Sequence, residues 1–192
     1  MIHYLIIGKS GTGKSTLART LARRSSRIVA VLDPDESEHV KWKAEYIESD
    51  WQKYLATMKA SKNVDAFIDE SGTTITGREK NQYSSVQWLG TQSRKHGIKC
   101  YFIAQRSVQI PPNIRDQCGT LYLFNVSRTD SKVFADEHGD DRLLKAIDLP
   151  PGYFYLVEPA RKARLGKIDF VTGKMSLERE TDQNAKRSIK EL

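Results

Sequence analysis

Gly8-Lys9-Ser10-Gly11-Thr12-Gly13-Lys14-Ser15 fits the spacing G-x-x-x-x-G-K-[ST] in full, with an apolar run before it and a helical pattern after it. Each residue type there answers a requirement of phosphate binding. Glycines let backbone N–H groups turn inward around an anion with no Cβ in the way. The helix that follows aims the positive end of its dipole at the same charge. Lys14 supplies a cation between the β- and γ-phosphates, and the Ser15 hydroxyl is a Mg²⁺ ligand. With Thr16, residues 8–16 form the expected nucleotide-binding stretch, and ATP with Mg²⁺ are the expected cofactors, GTP being served by the same chemistry.

A second cluster is Val64-Asp65-Ala66-Phe67-Ile68-Asp69-Glu70, an apolar strand that closes on two acids. Asp69 at the strand end is placed to hold Mg²⁺ beside Ser15. Glu70 follows where it can polarise a water in line with the γ-phosphate. The ordinary alternative is that either acid caps the next loop or helix. Asp65 has the wrong phase for this site and is expected to face solvent.

A third cluster is His96-Gly97-Ile98-Lys99-Cys100-Tyr101-Phe102-Ile103-Ala104-Gln105-Arg106. If this strand lies between the phosphate-loop strand and the acidic strand, Gln105 at its end can touch both γ-phosphate and water. The other reading of Gln105 is an amide that caps a loop.

The elements that must position these groups can be read from the same pattern. Apolar runs at Ile2–Ile7, Ile28–Leu32, Val64–Ile68, Ile98–Ala104 and Thr120–Val126 read as strands. Helices are expected at Ser15–Arg24, in two pieces over 38–60, at about 79–95, and over 129–147 with a break near Gly139. Pro111-Pro112 forces a loop. After Pro150-Pro151-Gly152, Tyr153–Val157 and Lys167–Val171 are expected to pair as a hairpin. Alternating strands and helices predict an α/β fold: a mainly parallel central sheet with helices on both faces and a C-terminal β-hairpin. Residues 1–175 are read as one motor domain, and 176–192 as a polar tail, helical or disordered.

Composition excludes several classes. Hydrophobic residues are 39% and charged residues 29% of 192, an ordinary soluble balance. No apolar run approaches the roughly 20 residues of a membrane-spanning helix. The N-terminus has no basic leader before an apolar stretch, so a cytoplasmic location is expected over secretion. Cys100 and Cys118 sit in or beside apolar segments and are expected to be packed, unbridged thiols. The net charge of +7 draws polyanions. A surplus of surface lysine would give the same number.

Beyond the general motifs, Ser93-Arg94-Lys95-His96-Gly97-Ile98 followed by Ala104-Gln105-Arg106-Ser107 resembles the FtsK/HerA family pattern. The likeness continues through Ile114-Arg115, through Leu123 to Ser131, at Leu143-Leu144 and at Gly152 to Leu156, so it covers roughly 2–158. The resemblance implies a RecA-like P-loop core of the additional-strand, catalytic-glutamate class, with the fourth strand inserted between the first and third. It implies a homo-oligomeric ring, a pentamer or hexamer, that pumps double-stranded DNA. Gln105 would then sense the γ-phosphate, and Arg94 would reach in trans into the neighbour's nucleotide, with Arg128 and Arg115 as runners-up. An arginine at a helix C-terminus, favoured there by the dipole, is the bland reading of Arg94.

The larger family members carry membrane, winged-helix or nuclease modules that are not seen here. A bare motor of this size is similar to the genome-packaging ATPases of tailless, membrane-containing phages and related viruses. That implies packaging into a procapsid, with a capsid vertex or a membrane-anchored viral protein as a further partner and the host cytoplasm as the location. Other DNA pumping in the same superfamily, a small P-loop kinase, and a nucleotide-gated scaffold are the competing readings. The loop after the acids offers Thr73, Thr74, Arg78 and Lys80 as DNA-backbone contacts. Lys41-Trp42-Lys43 and Arg161-Lys162-Ala163-Arg164 are further basic clusters. Trp42, Trp51 and Trp88 are expected to pack and not to stack on bases.

Overall fold

The computed structural model describes residues 2–34, 36, 39–69 and 87–178. Nine strands form one sheet: β1 (His3–Ile7), β2 (Ile28–Leu32), β3 (Tyr46–Glu48), β4 (Val64–Ile68), β5 (Lys99–Ala104), β6 (Cys118–Leu123), β7 (Tyr153–Val157), β8 (Arg164–Ile168) and β9 (Met175–Leu177). Their order is β3-β2-β4-β5-β1-β6-β7-β8-β9. The first six strands in that order run parallel, and β7, β8 and β9 continue the sheet antiparallel. The mainly parallel α/β architecture with a C-terminal hairpin is the one expected, and β5 does lie between β4 and β1.

Parallel strands covered on both faces read as apolar runs because alternate residues enter different cores. Leu5 and Ile7 join Phe102 and Ala104 in one core, against Tyr54 and Met58 of helix α2 (Trp51–Ala60). Ile6 joins Ile103 and Phe67 in the other, against Leu17, Ala18 and Ala22 of helix α1 (Lys14–Arg24). Later in the chain, among the described residues, come the single turn α3 (Pro112–Arg115) and the helix α4 (Arg128–His138), whose Phe134 and Ala135 enter the first core. Both cysteines are buried and unbridged. Trp42 is buried against Phe67, while Trp51 and Trp88 pack partly buried on the first core.

Several expectations change. The region 38–60 is not two helices: a 3-10 turn (His39–Lys41) and the short strand β3 precede α2. Tyr46–Glu48 pairs with Ala30–Leu32 at the sheet edge, and Asp50 ends that edge by accepting Lys53 N as the cap of α2 (3.0 Å). Of the helix expected at 79–95, residues 79–86 lie outside the described residues, 87–91 are helical and Ser93–His96 form a 3-10 turn. Pro111-Pro112 starts α3, since a first-turn proline costs no hydrogen bond. The second hairpin strand is Arg164–Ile168, because Asp169 opens a turn. The tail expected from 176 begins inside β9, where Met175 and Leu177 lie against the second core.

Asp65 is the largest correction. It does not face solvent; it is 3% exposed. It shares a face of β4 with Phe67, and that face is covered by the layer holding α1. Arg27 Nη1 lies 3.2 Å from its carboxylate, Ser25 Oγ donates to it at 2.8 Å, and Lys99 stands at 4.0 Å.

Candidate nucleotide site

Register brings three strand ends together. Ile7 lies opposite Ala104 on one side and Leu123 on the other. The loops leaving β1, β5 and β6 therefore start side by side, and backbone bonds tie them: Gly8 N to Ala104 O, Lys9 N to Asn125 O and Phe124 N to Ile7 O. At Gly8 a Cβ would come within 2.5 Å of the Phe124 Cβ, so only glycine fits. At Gly13 the backbone turns to φ 113°, a left-handed value, and Leu17 N donates back to Gly13 O as α1 begins (2.9 Å).

The loop closes around a cavity of about 260 Å³. Ser10, Gly11, Gly13, Lys14, Ser15 and Thr16 line it; Gly8, Lys9 and Thr12 form its support instead. Thr12 Oγ1 donates to Lys9 O (2.8 Å), and Lys14 Nζ donates to the same carbonyl (2.9 Å). The lysine is thus folded over the loop that its charge would serve. Asp69, the first residue past β4, lines the cavity while mostly buried, with its N–H on Leu32 O (2.9 Å). A hydroxyl and a carboxylate, both hard oxygen donors, face one space here, and that donor set fits Mg²⁺. Among the described residues, no group of three or more His, Cys, Asp or Glu could hold a metal ion.

Gln105 also lines the cavity. Its backbone is fixed twice over. Gln109 Oε1 accepts from Gln105 N and Arg106 N (2.8 and 2.9 Å). Asp130 of α4 accepts from Ser107 N and Ser107 Oγ (2.9 and 2.6 Å). Burial pushes Asp130 up, but the bonds from Ser107 and Ser127 and the nearby Arg106 outweigh it and hold the carboxyl below its usual range.

Arg94 is elsewhere. It sits in the 3-10 turn before β5, exposed, and hydrogen-bonds to Gln117. Gln105 leaves the other end of that strand, about 20 Å away for six residues at strand rise. Arg94 therefore cannot reach the cavity of its own chain. Arg115 is held by Glu137 and by the carbonyls of Ser107 and Ile110. Arg128 is exposed at the start of α4. Arg161 and Arg164 both pair with Glu158. Glu70, Thr73, Thr74, Arg78 and Lys80 lie outside the described residues.

Two lining residues escaped the sequence reading, Arg19 and Phe170. Arg19 carries a legible signal, since it follows Thr16 by three positions on α1 and so shares its face. Phe170 comes from the far end of the chain, and no spacing announces it.

No protein-family model matches the sequence, and no curated protein matches it. Solved structures do. The genome-packaging NTPase B204 of Sulfolobus turreted icosahedral virus 2, in complex with sulfate, superposes with a TM-score of 0.66 at 14% identity, over 94% of this chain and 97% of that one. Its complex with AMPPCP gives 0.63 at 14%, over 94% and 98%. VirB4 of Thermoanaerobacter pseudethanolicus gives 0.63 at 8%, over 83% and 87%. The cytoplasmic domain of the Type VII secretion ATPase EccC of Thermomonospora curvata gives 0.58 at 14%, over 85% of this chain and 23% of that one. The chain shares the fold of these solved structures.

Proposed function

We propose that this chain is a Mg²⁺-dependent ATPase whose turnover drives translocation of double-stranded DNA, with viral genome packaging into a procapsid as its setting. One observation carries the reading: Lys14, Ser15, Asp69 and Gln105 share one cavity, while exposed Arg94 stands at the opposite end of β5.

In this mechanism the loop N–H groups and the α1 N-terminus hold the phosphates, and Lys14 leaves the Lys9 carbonyl to lie between the β- and γ-groups. Ser15 and Asp69 would hold Mg²⁺, which supplies neutralisation of charge on the β- and γ-oxygens. Glu70 takes the proton of the attacking water, and Gln105 contacts the γ-phosphate. Arg94 serves the next subunit in a ring of five or six copies, so hydrolysis depends on assembly. Thr73, Thr74, Arg78 and Lys80 contact the DNA backbone, and the motor works in the host cytoplasm at a capsid vertex or a membrane-anchored viral protein. Among the described residues, no helix is long and apolar enough to cross a membrane. The likeness to B204, whose fold matches nearly end to end, supports packaging.

Likeness to VirB4 and EccC supports a second reading, another pumping ATPase of the same superfamily, for conjugation or for chromosome or plasmid mobilisation. ATP turnover with and without long duplex DNA tests the core claim, and stimulation is expected. Binding should be indifferent to sequence and weaken on the order of 10³-fold between 50 and 200 mM salt if about six phosphates are neutralised. A flat salt response, or turnover that ignores DNA, overturns the pump.

A further inference from the structure

Phe170 is a large apolar side chain left 49% exposed at the mouth of the candidate nucleotide cavity. It stands on the turn between β8 and β9, and that turn is rigid. Asp169 Oδ1 accepts from Val171 N, Thr172 N and Thr172 Oγ1 at 3.1, 2.7 and 2.8 Å. Backbone bonds close the turn from Gly173 N to Asp169 O and from Asp169 N to Lys174 O. Gly173 sits against Thr20 of α1, where a Cβ would come 2.7 Å from the threonine hydroxyl.

The turn is also tied to the phosphate loop. Gly152 N donates to Thr12 O (2.9 Å), and Ile168 N donates to Gly152 O (2.8 Å). The far edge of the Phe170 ring rests over two glycines: Cε1 lies 3.2 Å from where a Gly13 Cβ would be, and Cε2 lies 3.2 Å from where a Gly152 Cβ would be. An aromatic ring seated on backbone, fixed relative to the phosphate loop and still half exposed, is a preformed stacking surface.

The geometry points to Phe170 as the platform on which the nucleobase of a bound nucleoside triphosphate stacks, an assignment that rests on the cavity being the nucleotide site. Every base has a π-face, and stacking on an aromatic side chain is a recurring source of affinity for nucleotides. The ring adds nothing to phosphate binding, so its effect should appear only with ligands that carry a base. A half-exposed phenylalanine could instead seal a contact between copies.

The test compares Mg²⁺-ATP with inorganic tripolyphosphate, which has the phosphates and no base, on the full chain. Phe170→Ala should raise the KM for ATP about tenfold with kcat little changed, and should leave inhibition by tripolyphosphate as in the wild type. Phe170→Trp should restore the ATP value. Phe170→Leu keeps apolar bulk over Gly13 and Gly152 without a π-face, and should show the same rise in the KM for ATP even if Phe170→Ala fails to fold. An unchanged ratio of ATP to tripolyphosphate affinity in both variants overturns the platform. So does a lower kcat with loss of subunit association and an unaltered ATP affinity, which would make Phe170 a contact between copies. Lys14→Ala reports on the premise separately: if it weakens neither ligand, the cavity is not the nucleotide site at all.

Discussion

Arg27 and Asp65 form an ion pair at 3.2 Å beneath the sheet, at the end opposite the nucleotide cavity. Arg27 extends past the carboxylate to the carbonyls of Asn63 and Gly97. Asn63 N also donates to His96 O (3.0 Å). The pair therefore pins the turn that presents Arg94. Removing one member of a mostly buried pair leaves the other charge unmatched. Asp65→Asn is expected to cost about 2 kcal/mol, less than for a fully dry pair because Arg27 keeps some solvent. Urea unfolding measures it, and a loss within error would mean that Arg27 is held by the two carbonyls alone.

Glu70 and Lys14 should separate chemistry from binding. Glu70→Gln is expected to bind ATP normally and to lose at least ~100-fold in turnover, the low end for general base catalysis. Lys14→Ala should weaken binding itself. Single-turnover hydrolysis beside equilibrium binding of ATP distinguishes them, and near-normal hydrolysis by Glu70→Gln removes it from the mechanism.

Arg94 invites a mixing experiment. Arg94→Ala and Glu70→Gln subunits should each be inactive alone. In mixed rings, some interfaces join an intact Glu70 to an intact Arg94 from the neighbour, and those sites should recover part of the activity. An arginine acting within its own subunit gives no rescue. Wild type doped with each mutant reveals whether strict firing order suppresses recovery. Full activity in a confirmed monomer at high dilution rules the ring out.

His3 predicts a pH effect on stability. Burial, and then the positive charges of Arg94 and the N-terminus, lower its pKa from 6.5 to about 4, and its Nδ1 accepts from Cys100 N (3.0 Å). The unfolded chain thus takes up a proton at higher pH than the folded one. Stability is full above about pH 6.5 and falls as pH drops toward 4, by up to about 3 kcal/mol. His3→Asn keeps an acceptor for Cys100 N and does not titrate, so its Tm should be flatter across that window. Asp130, held below the usual carboxylate range, contributes only at lower pH: its stabilisation is present above the unfolded carboxylate pKa of about 4 and is lost as pH falls through its folded value.

Local pattern made the phosphate loop and the strand runs legible, because each depends on neighbours in sequence, whereas Gln105 could be placed only through the strand order that the resemblance implied. Asp65 was misread because the phase argument assumed a strand with one wet face, whereas a parallel strand has two dry ones. β3 was missed because three residues with one glutamate carry no periodic signal and form a strand only where β2 offers an edge. Phe170 reaches the site through β8, and Arg27 reaches Gly97 across the sheet. Neither contact has a sequence spacing to betray it.

β5 is hydrogen-bonded along both edges, to β1 and to β4, and five of its six residues are buried. Such a strand has no open edge along which to slip. Gln105 leaves one end and the Arg94 turn precedes the other, so neither can be re-aimed alone. One paired strand thus separates the exposed arginine from the cavity, so the two ends of β5 face different surroundings.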